Sequence, residues 1–189
     1  EIVGATATTY TLTQAEVGKT ITAKASYIDG GNTAELVTSA ATAVVANIND
    51  APTGAVTITG TPTQGQVLTV SNTLADADGL GTISYKWYAN GTEIVGATAT
   101  TYTLTQAEVG KTITAKASYI DGGNTVETVS SSATAAVANI NDAPTGAVTI
   151  TGTPTQGQIL TVSNTLADAD GMGTISYKWY ANGAEIVGA

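Results

Sequence analysis

The sequence predicts an all-β protein, and its composition, its alternation pattern and its turn signals each indicate this class. Thr, Ala, Gly, Val and Ile are the commonest of the 189 residues, 11% are charged, and Phe, His, Cys and Arg are absent. β-Branched residues favour strands, and glycine clusters mark turns. No segment shows a helical period. The turn sequences GTPTQGQ, ADADGLG, ANGT, TQAEVGK and IDGGN have the spacing of a β-sandwich with about seven strands per roughly 100 residues.

The chain is a tandem array of near-copies with a period of 92 residues. The sequence EIVGA begins at Glu1, Glu93 and Glu185, and only eight of the 97 positions that can be compared differ. The differing pairs are 34/126, 36/128, 38/130, 40/132, 44/136, 67/159, 80/172 and 92/184.

Five of these differences fall on even positions of one stretch, residues 34–44 and 126–136, whereas the odd positions between them are unchanged. A period of two is the side-chain period of a β-strand. We therefore expect the even positions to face water, where substitutions cost little, and the odd positions to face a core. The odd set comprises Val37, Ala41 and Val45, and in the second copy Val129, Ala133 and Val137.

The remaining strands show the same alternation, which predicts the inward-facing rows of the core. These rows are Val56 and Ile58; Leu68 and Val70; Ile83, Tyr85 and Trp87; Tyr102 and Leu104; and Ile113, Ala115, Ala117 and Tyr119.

The order of these features resembles an immunoglobulin-like domain. Trp87 takes the place of the buried tryptophan of the third strand. The sequence AEVGKTITAKA at residues 107–117 resembles the turn and the sixth strand, with Ala115 where antibody domains carry a cysteine. The resemblance implies tandem immunoglobulin-like β-sandwich repeats with Greek-key topology and a period of 92 residues. For Trp87 itself we expect a core-packing role.

The sequence NINDAP, at residues 47–52 and 139–144, marks the boundaries between repeats. It ends an Ala/Val-rich strand and then introduces a proline, which cannot donate a ladder hydrogen bond. The first segment, residues 1–48, is then the C-terminal half of one β-sandwich repeat. The middle segment, residues 49–140, is a complete repeat, and the last segment, residues 141–189, is the N-terminal half of the next. We expect the half repeats to need further strands, from a longer chain or from a neighbouring chain, to bury their cores.

All eight Asp residues lie in predicted loops or linkers. They are Asp50 and Asp142 in the linkers, Asp76, Asp78, Asp168 and Asp170 between the second and third strands, and Asp29 and Asp121 between the sixth and seventh. In an immunoglobulin-like sandwich these segments lie at one end, so the carboxylates are expected to converge there. Converging carboxylates repel one another unless a cation neutralises them. Hard oxygen ligands in loops, without His or Cys, favour calcium.

The same constellation resembles the calcium junctions of cadherins, whose linker motif reads x-N-D-N-A-P. The resemblance implies two sets of ligands: Glu16, Asn49, Asp50, Asp76, Asp78 and Asp121 at junction one, and Glu108, Asn141, Asp142, Asp168 and Asp170 at junction two. The linker lacks the Asp that opens the cadherin motif and the Asn that follows its Asp. The fifth-to-sixth loop has one acid instead of a cluster. Fewer ions per junction are therefore expected than in cadherins, with a single ion as the expectation.

A further resemblance covers the whole chain. The sequences NDAPTG, TPTQGQ, LADADGLGTISYKWYANG and TYTLTQAEVGKTITAKASY resemble repeat modules of giant secreted adhesins and biofilm matrix proteins of Gram-negative bacteria, many of them carried by RTX-type secretion. The resemblance implies an extracellular extender role at the bacterial cell surface, in which rows of modules project a distal binding domain. The expected partners are neighbouring repeats of the same chain.

Several other classes of function are disfavoured by the sequence. The net charge of −9 argues against nucleic acid and anionic membranes, and no run approaches the roughly 20 apolar residues that span a bilayer. There is no His to act as a base and no Cys to act as a nucleophile. Asp76 and Asp78 share one loop with no opposing acid, so an enzyme is not expected. Two alternatives to the stalk stay open: a fibre assembled by strand exchange between chains, and a carbohydrate-binding module that uses the outward-facing Tyr88.

Overall fold

The computed structural model describes residues 1–188, and its regular structure is almost entirely antiparallel β-sheet. The strands are β1 (Lys24–Ile28), β2 (Ala34–Thr38), β3 (Val56–Thr59), β4 (Val67–Asn72), β5 (Ser84–Ala89), β6 (Thr92–Glu93), β7 (Thr101–Thr103), β8 (Ile113–Ile120), β9 (Val126–Ser130), β10 (Val148–Thr151), β11 (Thr161–Asn164), β12 (Tyr180–Ala181) and β13 (Ala184–Glu185). Two short 3-10 helices, Gln14–Glu16 and Gln106–Glu108, occupy equivalent positions in the two copies of the TQAEVGK sequence. The all-β class is confirmed.

The middle segment contains two antiparallel sheets that share one core. One sheet has the strand order β3-β4-β7, and the other has the order β6-β5-β8-β9. Strands β4 and β5 are consecutive in the chain but lie in different sheets, as do β6 and β7, and β7 and β8. The chain therefore crosses between the sheets three times, which brings apolar residues from both onto a common interior.

The predicted inward rows line this interior. Leu68, Trp87, Leu104 and Ile113 are the largest fully buried side chains, and Val56, Val70, Ala115, Ala117 and Tyr119 are buried with them. Ile58, Ile83, Tyr85 and Tyr102 are partly buried against the cluster. The Trp87 ring lies 5.9 Å from that of Tyr102, and its Nε1 donates to the Ala99 carbonyl at 2.9 Å. Trp87 therefore has the predicted packing role, and its one polar atom is satisfied.

The stretch formed by β9 and the residues after it follows the predicted alternation with one exception. The five variable positions of the second copy are all exposed; they are residues 126, 128, 130, 132 and 136. Of the unchanged positions between them, Val129 packs against the core and Val137 is buried. Ala133, however, is exposed, so its predicted core position is wrong. The chain leaves the ladder after Ser130, and the hydroxyls of Ser131 and Thr134 accept hydrogen bonds from the backbone of β8 at 3.0 Å. The amides of Ser131 and Thr134 still donate to the carbonyls of Ala115 and Ile113, at 2.8 and 2.9 Å. The contacts with β8 therefore recur every three residues instead of every two, and Ala133 is left facing outward.

The first and last segments contain only two-stranded sheets: β1-β2, β10-β11 and β12-β13. Apolar residues that are buried in the middle segment have exposed or partly buried counterparts there. Val148 is 54% exposed whereas its counterpart Val56 is 4% exposed. In the first segment Val37 and Ala41, which were predicted to face a core, are exposed, and Val45 is partly buried. A two-stranded sheet has no opposing sheet to cover its apolar face, which is the reason for the difference.

Candidate metal centre

Two loops of the middle segment meet at the end of the sandwich that adjoins the preceding linker. The loop between β4 and β5 carries the DADG sequence at residues 76–79, and the loop between β8 and β9 carries DGGN at residues 121–124. The Gly122 amide donates to the carbonyls of Asp78 and Gly79, at 3.1 and 3.3 Å. A Cβ at Gly122 would lie 2.3 Å from the Asp78 carbonyl oxygen. The close contact between the two loops therefore depends on glycine at this position.

This contact brings together three of the predicted ligands. One carboxylate oxygen from each of Asp76, Asp78 and Asp121 lies within 4.8 Å of the others. Asp76 is oriented from both sides: its Oδ2 accepts from the Tyr119 hydroxyl at 2.6 Å, and its Oδ1 accepts from the Asp78 amide at 2.9 Å. The same hydrogen bond and burial raise the pKa of Tyr119 above its ordinary value, burial being the larger cause, so the hydroxyl stays a donor at neutral pH.

Asp121 is the most enclosed member of the cluster. Its side chain is only 6% exposed, and its Oδ1 accepts from the Thr125 amide at 2.7 Å. Its Oδ2 is buried without a hydrogen-bond partner among residues 1–188. Burying a carboxylate oxygen without a partner is costly, and a bound cation is one way to satisfy it.

Asp78 connects the cluster to the linker and to the first segment. Its Oδ2 accepts from the Asp50 amide at 2.7 Å, and its Oδ1 accepts from Gln14 Nε2 at 2.8 Å. The backbone hydrogen bond from Asp50, followed by the side-chain bonds from Asn47 and Gln14, lowers the pKa of Asp78. Hydrogen bonds to the ionised form have this effect, so Asp78 is held as an anion at the junction.

The other ligands predicted for junction one lie elsewhere or contribute differently. Glu16 is buried, but its Oε2 accepts from the Thr13 amide and hydroxyl at 2.9 and 2.8 Å, which forms a capping box on the 3-10 helix. These bonds lower the pKa of Glu16. Asn49 Nδ2 donates to Glu127 Oε1 at 2.9 Å, and Asp50 reaches the cluster through its backbone amide.

Junction two repeats part of this arrangement. The Asp170 amide donates to Asp168 Oδ1 at 2.9 Å, and the Asp142 amide donates to Asp170 Oδ2 at 2.8 Å. The backbone hydrogen bond from Asp142, with weaker contributions from Asn139 and Gln106, lowers the pKa of Asp170. Glu108 forms the same capping box as Glu16, with Thr105, and Asn141 Nδ2 donates to the carbonyl of Asp142 at 3.0 Å. Asp168 and Asp170 therefore make the same backbone contacts as Asp76 and Asp78.

Sequence reasoning missed the amide side chains at the junctions. Gln14 and Gln106 contact Asp78 and Asp170 from the preceding segment, and Gln64 Nε2 donates to Asp142 Oδ2 at 2.8 Å. The T-x-x-E spacing from Thr13 to Glu16 is the sequence signature of a capping box. This signature indicates that the Glu16 carboxylate bonds to its own turn. Gln14, two residues earlier, is then left to contact the next segment.

The three carboxylates of the middle segment fit a hard divalent cation. Calcium binds oxygen at about 2.3–2.6 Å, so two of its ligands can lie up to about 5 Å apart, and the 4.8 Å limit of the cluster is compatible with one ion. The ligands would be Asp76, Asp78 and Asp121. Ion binding would give Asp121 Oδ2, which is buried without a hydrogen bond, the partner that it lacks. The donor set contains no nitrogen or sulfur, which agrees with calcium or magnesium better than with zinc.

Tyr88, the candidate residue for sugar stacking, is partly buried, and Lys116 Nζ lies over its ring at 5.4 Å from the centroid. One face of the ring is therefore covered by a cation–π contact.

No protein-family model, curated protein or solved structure matches this chain. Among residues 1–188, no helix has the length and apolar character needed to cross a bilayer.

Proposed function

We propose that this chain consists of extender repeats from the stalk of a large secreted or cell-surface bacterial adhesin or matrix protein, with a calcium ion bound where each repeat meets the preceding linker. The observation that carries the proposal is the Asp76, Asp78 and Asp121 cluster, which contains a buried oxygen without a partner. The cluster lies beside the linker, since the Asp50 amide donates to Asp78. An ion at this position would act on the joint between repeats.

The fold proposed for the repeat is an immunoglobulin-like Greek-key sandwich with a 92-residue period. The strand orders β3-β4-β7 and β6-β5-β8-β9 support it. They divide seven strands between two sheets as that fold does, with the short fourth strand β6 beside β5 instead of in the other sheet. The buried Trp87 on β5, opposite Ala115 on β8, supports it as well. The first and last segments then represent the two halves of neighbouring repeats.

Mechanical stiffness is the physical consequence of ion binding at this place. Three anionic side chains within a few ångströms repel one another, and a divalent ion converts this repulsion into attraction. The ion would join the two loops of one repeat and hold Asp78, which itself contacts the linker and the preceding segment. A row of repeats joined in this way is a rod, whose role is structural and whose partners are the neighbouring repeats.

Calcium titration of the chain and of its Asp121→Asn variant tests the proposal. We expect calcium to raise the melting temperature of the unchanged chain, because a ligand that binds only the folded state stabilises it by about 2.7 kcal/mol at a hundredfold excess over its Kd. The Asp121→Asn variant is expected to lose this response. The readouts are differential scanning calorimetry and isothermal titration calorimetry in calcium and in chelator.

The repeat provides a matched control for this experiment. Asp29 is the counterpart of Asp121, and its Oδ1 accepts from Thr33 as that of Asp121 accepts from Thr125, but it belongs to no acidic cluster among the described residues. Asp29→Asn is therefore expected to retain the calcium response. The metal proposal fails if calcium leaves the melting temperature of the unchanged chain unaltered, or if both variants respond alike.

A fibre assembled by strand exchange is a second candidate, favoured by the apolar faces of the outer segments. Val148 and Leu160 are exposed in the last segment, and residues 1–48 carry the near-identical counterparts of the strands that cover Val56 and Leu68 in the middle segment. A second copy is therefore able to supply the missing sheet. Sedimentation velocity over a wide concentration range separates the candidates, since a fibre grows with concentration and a stalk segment does not.

A further inference from the structure

The same contacts between segments recur at both junctions, and they are hydrogen bonds between protein atoms. Gln14 Nε2 donates to Asp78 Oδ1 at 2.8 Å, and Gln106 Nε2 donates to Asp170 Oδ1 at 3.3 Å. The linker amide of Asp50 donates to Asp78 Oδ2, and that of Asp142 to Asp170 Oδ2. In both cases one carboxylate accepts from the preceding segment and from the linker at once.

The two aspartates of each DADG sequence make different sets of contacts. Asp76 accepts from Tyr119 and from the Asp78 amide, both within its own repeat. Asp78 accepts from Gln14 of the first segment and from the linker amide of Asp50. Two residues spaced by two would point to the same side of an extended strand, but here the chain turns, and the Gly79 amide donates to the Asp76 carbonyl at 3.2 Å. This turn lets one carboxylate contact its own repeat while the other contacts the linker and the preceding segment.

We propose that the 3-10 helix of each repeat is a docking surface for the next repeat, on which Gln14 and Gln106 hold Asp78 and Asp170 and fix the angle between repeats without a metal ion. The partner of this surface is the DADG loop of the following repeat. The inference rests on the proposed stalk: Asp76 and Asp121 would serve the ion, whereas Asp78, the third candidate ligand, would also serve the joint.

The charge and geometry of the contacts support this division. Hydrogen bonds to a carboxylate are stronger than those between neutral groups, and Asp78 receives them from two elements that are 28 and 64 residues away in sequence. Two donors from separate elements fix an orientation, whereas a single contact permits rotation. The capping box at Thr13 and Glu16 holds the 3-10 helix in shape, so that Gln14 is presented from a defined turn.

The linker at junction two is also held to the repeat that precedes it. Gln64 Oε1 accepts from the Ile140 amide at 3.0 Å, and Gln64 Nε2 donates to Asp142 Oδ2 at 2.8 Å. Asp142 is therefore anchored to the middle segment through its side chain, which accepts from Gln64. Its backbone amide is anchored to the last segment through Asp170. These contacts on both sides leave the linker little freedom to swing.

Pulsed dipolar spectroscopy of the full chain in chelator tests the proposal. The chain contains no Cys, so spin labels can be introduced through Thr38→Cys on β2 and Thr128→Cys on β9, both exposed positions on opposite sides of junction one. The unchanged junction is expected to give a narrow distance distribution without calcium. Gln14→Ala is expected to broaden this distance distribution. Gln14→Glu is expected to broaden it further, because two carboxylates would then face each other.

Gln66→Ala is the matched control, since Gln66 is an exposed glutamine whose side chain makes no hydrogen bond among residues 1–188. It is expected to keep the narrow distribution. Asp121→Asn is also expected to keep the narrow distribution in chelator, while losing any response to calcium. Failure of the metal proposal is therefore distinguishable from failure of the docking proposal. A distribution in chelator that is already broad, or is equally narrow with Gln14→Ala, overturns the docking proposal.

Discussion

Replacing Leu68 by Ala is expected to lower the free energy of unfolding of the middle segment by about 2–5 kcal/mol, the range for leucine in a well-packed core. Leu68 is fully buried, and it pairs with Tyr102 on β7 at the centre of the three-stranded sheet. Truncation removes its transfer free energy and leaves a cavity between the two sheets. Urea unfolding followed by Trp87 fluorescence measures the effect, with Trp179→Phe removing the second tryptophan signal.

The period of 92 residues supplies the control within the same chain. Leu160 is the counterpart of Leu68 but is 37% exposed, so Leu160→Ala is expected to cost no more than about 1 kcal/mol. Equal costs for the two substitutions would contradict the exposure of Leu160 in the structure. They would indicate that Leu160 has an opposing sheet in solution, as the strand-exchanged fibre requires.

The core was predictable from sequence because it depends on a local rule. Alternation with a period of two identified Ile113, Ala115 and Tyr119 as one buried face, and this period follows from strand geometry whatever the partner strand is. The error at Ala133 arose where that rule stops. The Ser131 and Thr134 hydroxyls bond to the backbone of β8, and whether a hydroxyl displaces a ladder bond depends on a tertiary contact.

The candidate site was predictable to a similar degree. Loops at one end of a sandwich must meet, so the convergence of Asp76, Asp78 and Asp121 followed from topology. The position of Glu16 outside the cluster did not follow from topology, because its two local hydrogen bonds with Thr13 compete with any contact across the junction. The contact between the 3-10 helix and Asp78 requires knowing the angle between segments, which no periodicity encodes.

Gly122→Ala is expected to separate the two loops that form the acidic cluster and to abolish the calcium response. A Cβ at this position would lie 2.3 Å from the Asp78 carbonyl oxygen, a backbone atom that cannot move without shifting the whole loop. The shift would break the Gly122 to Asp78 hydrogen bond and carry Asp121 away from Asp76. Overpacking of this kind costs about 1–3 kcal/mol, so the melting temperature is also expected to fall in chelator.

Gly30→Ala separates this effect from any general cost of losing a glycine in the DGGN turn. Gly30 is the counterpart of Gly122, but a Cβ there meets nothing within 4 Å, so its melting temperature and calcium response are expected to stay unchanged. Calorimetry of both variants, with and without calcium, gives the comparison. If Gly122→Ala binds calcium as tightly as the unchanged chain, the approach of the two loops is not what creates the site, and the ion would have to be held by Asp76 and Asp78 alone.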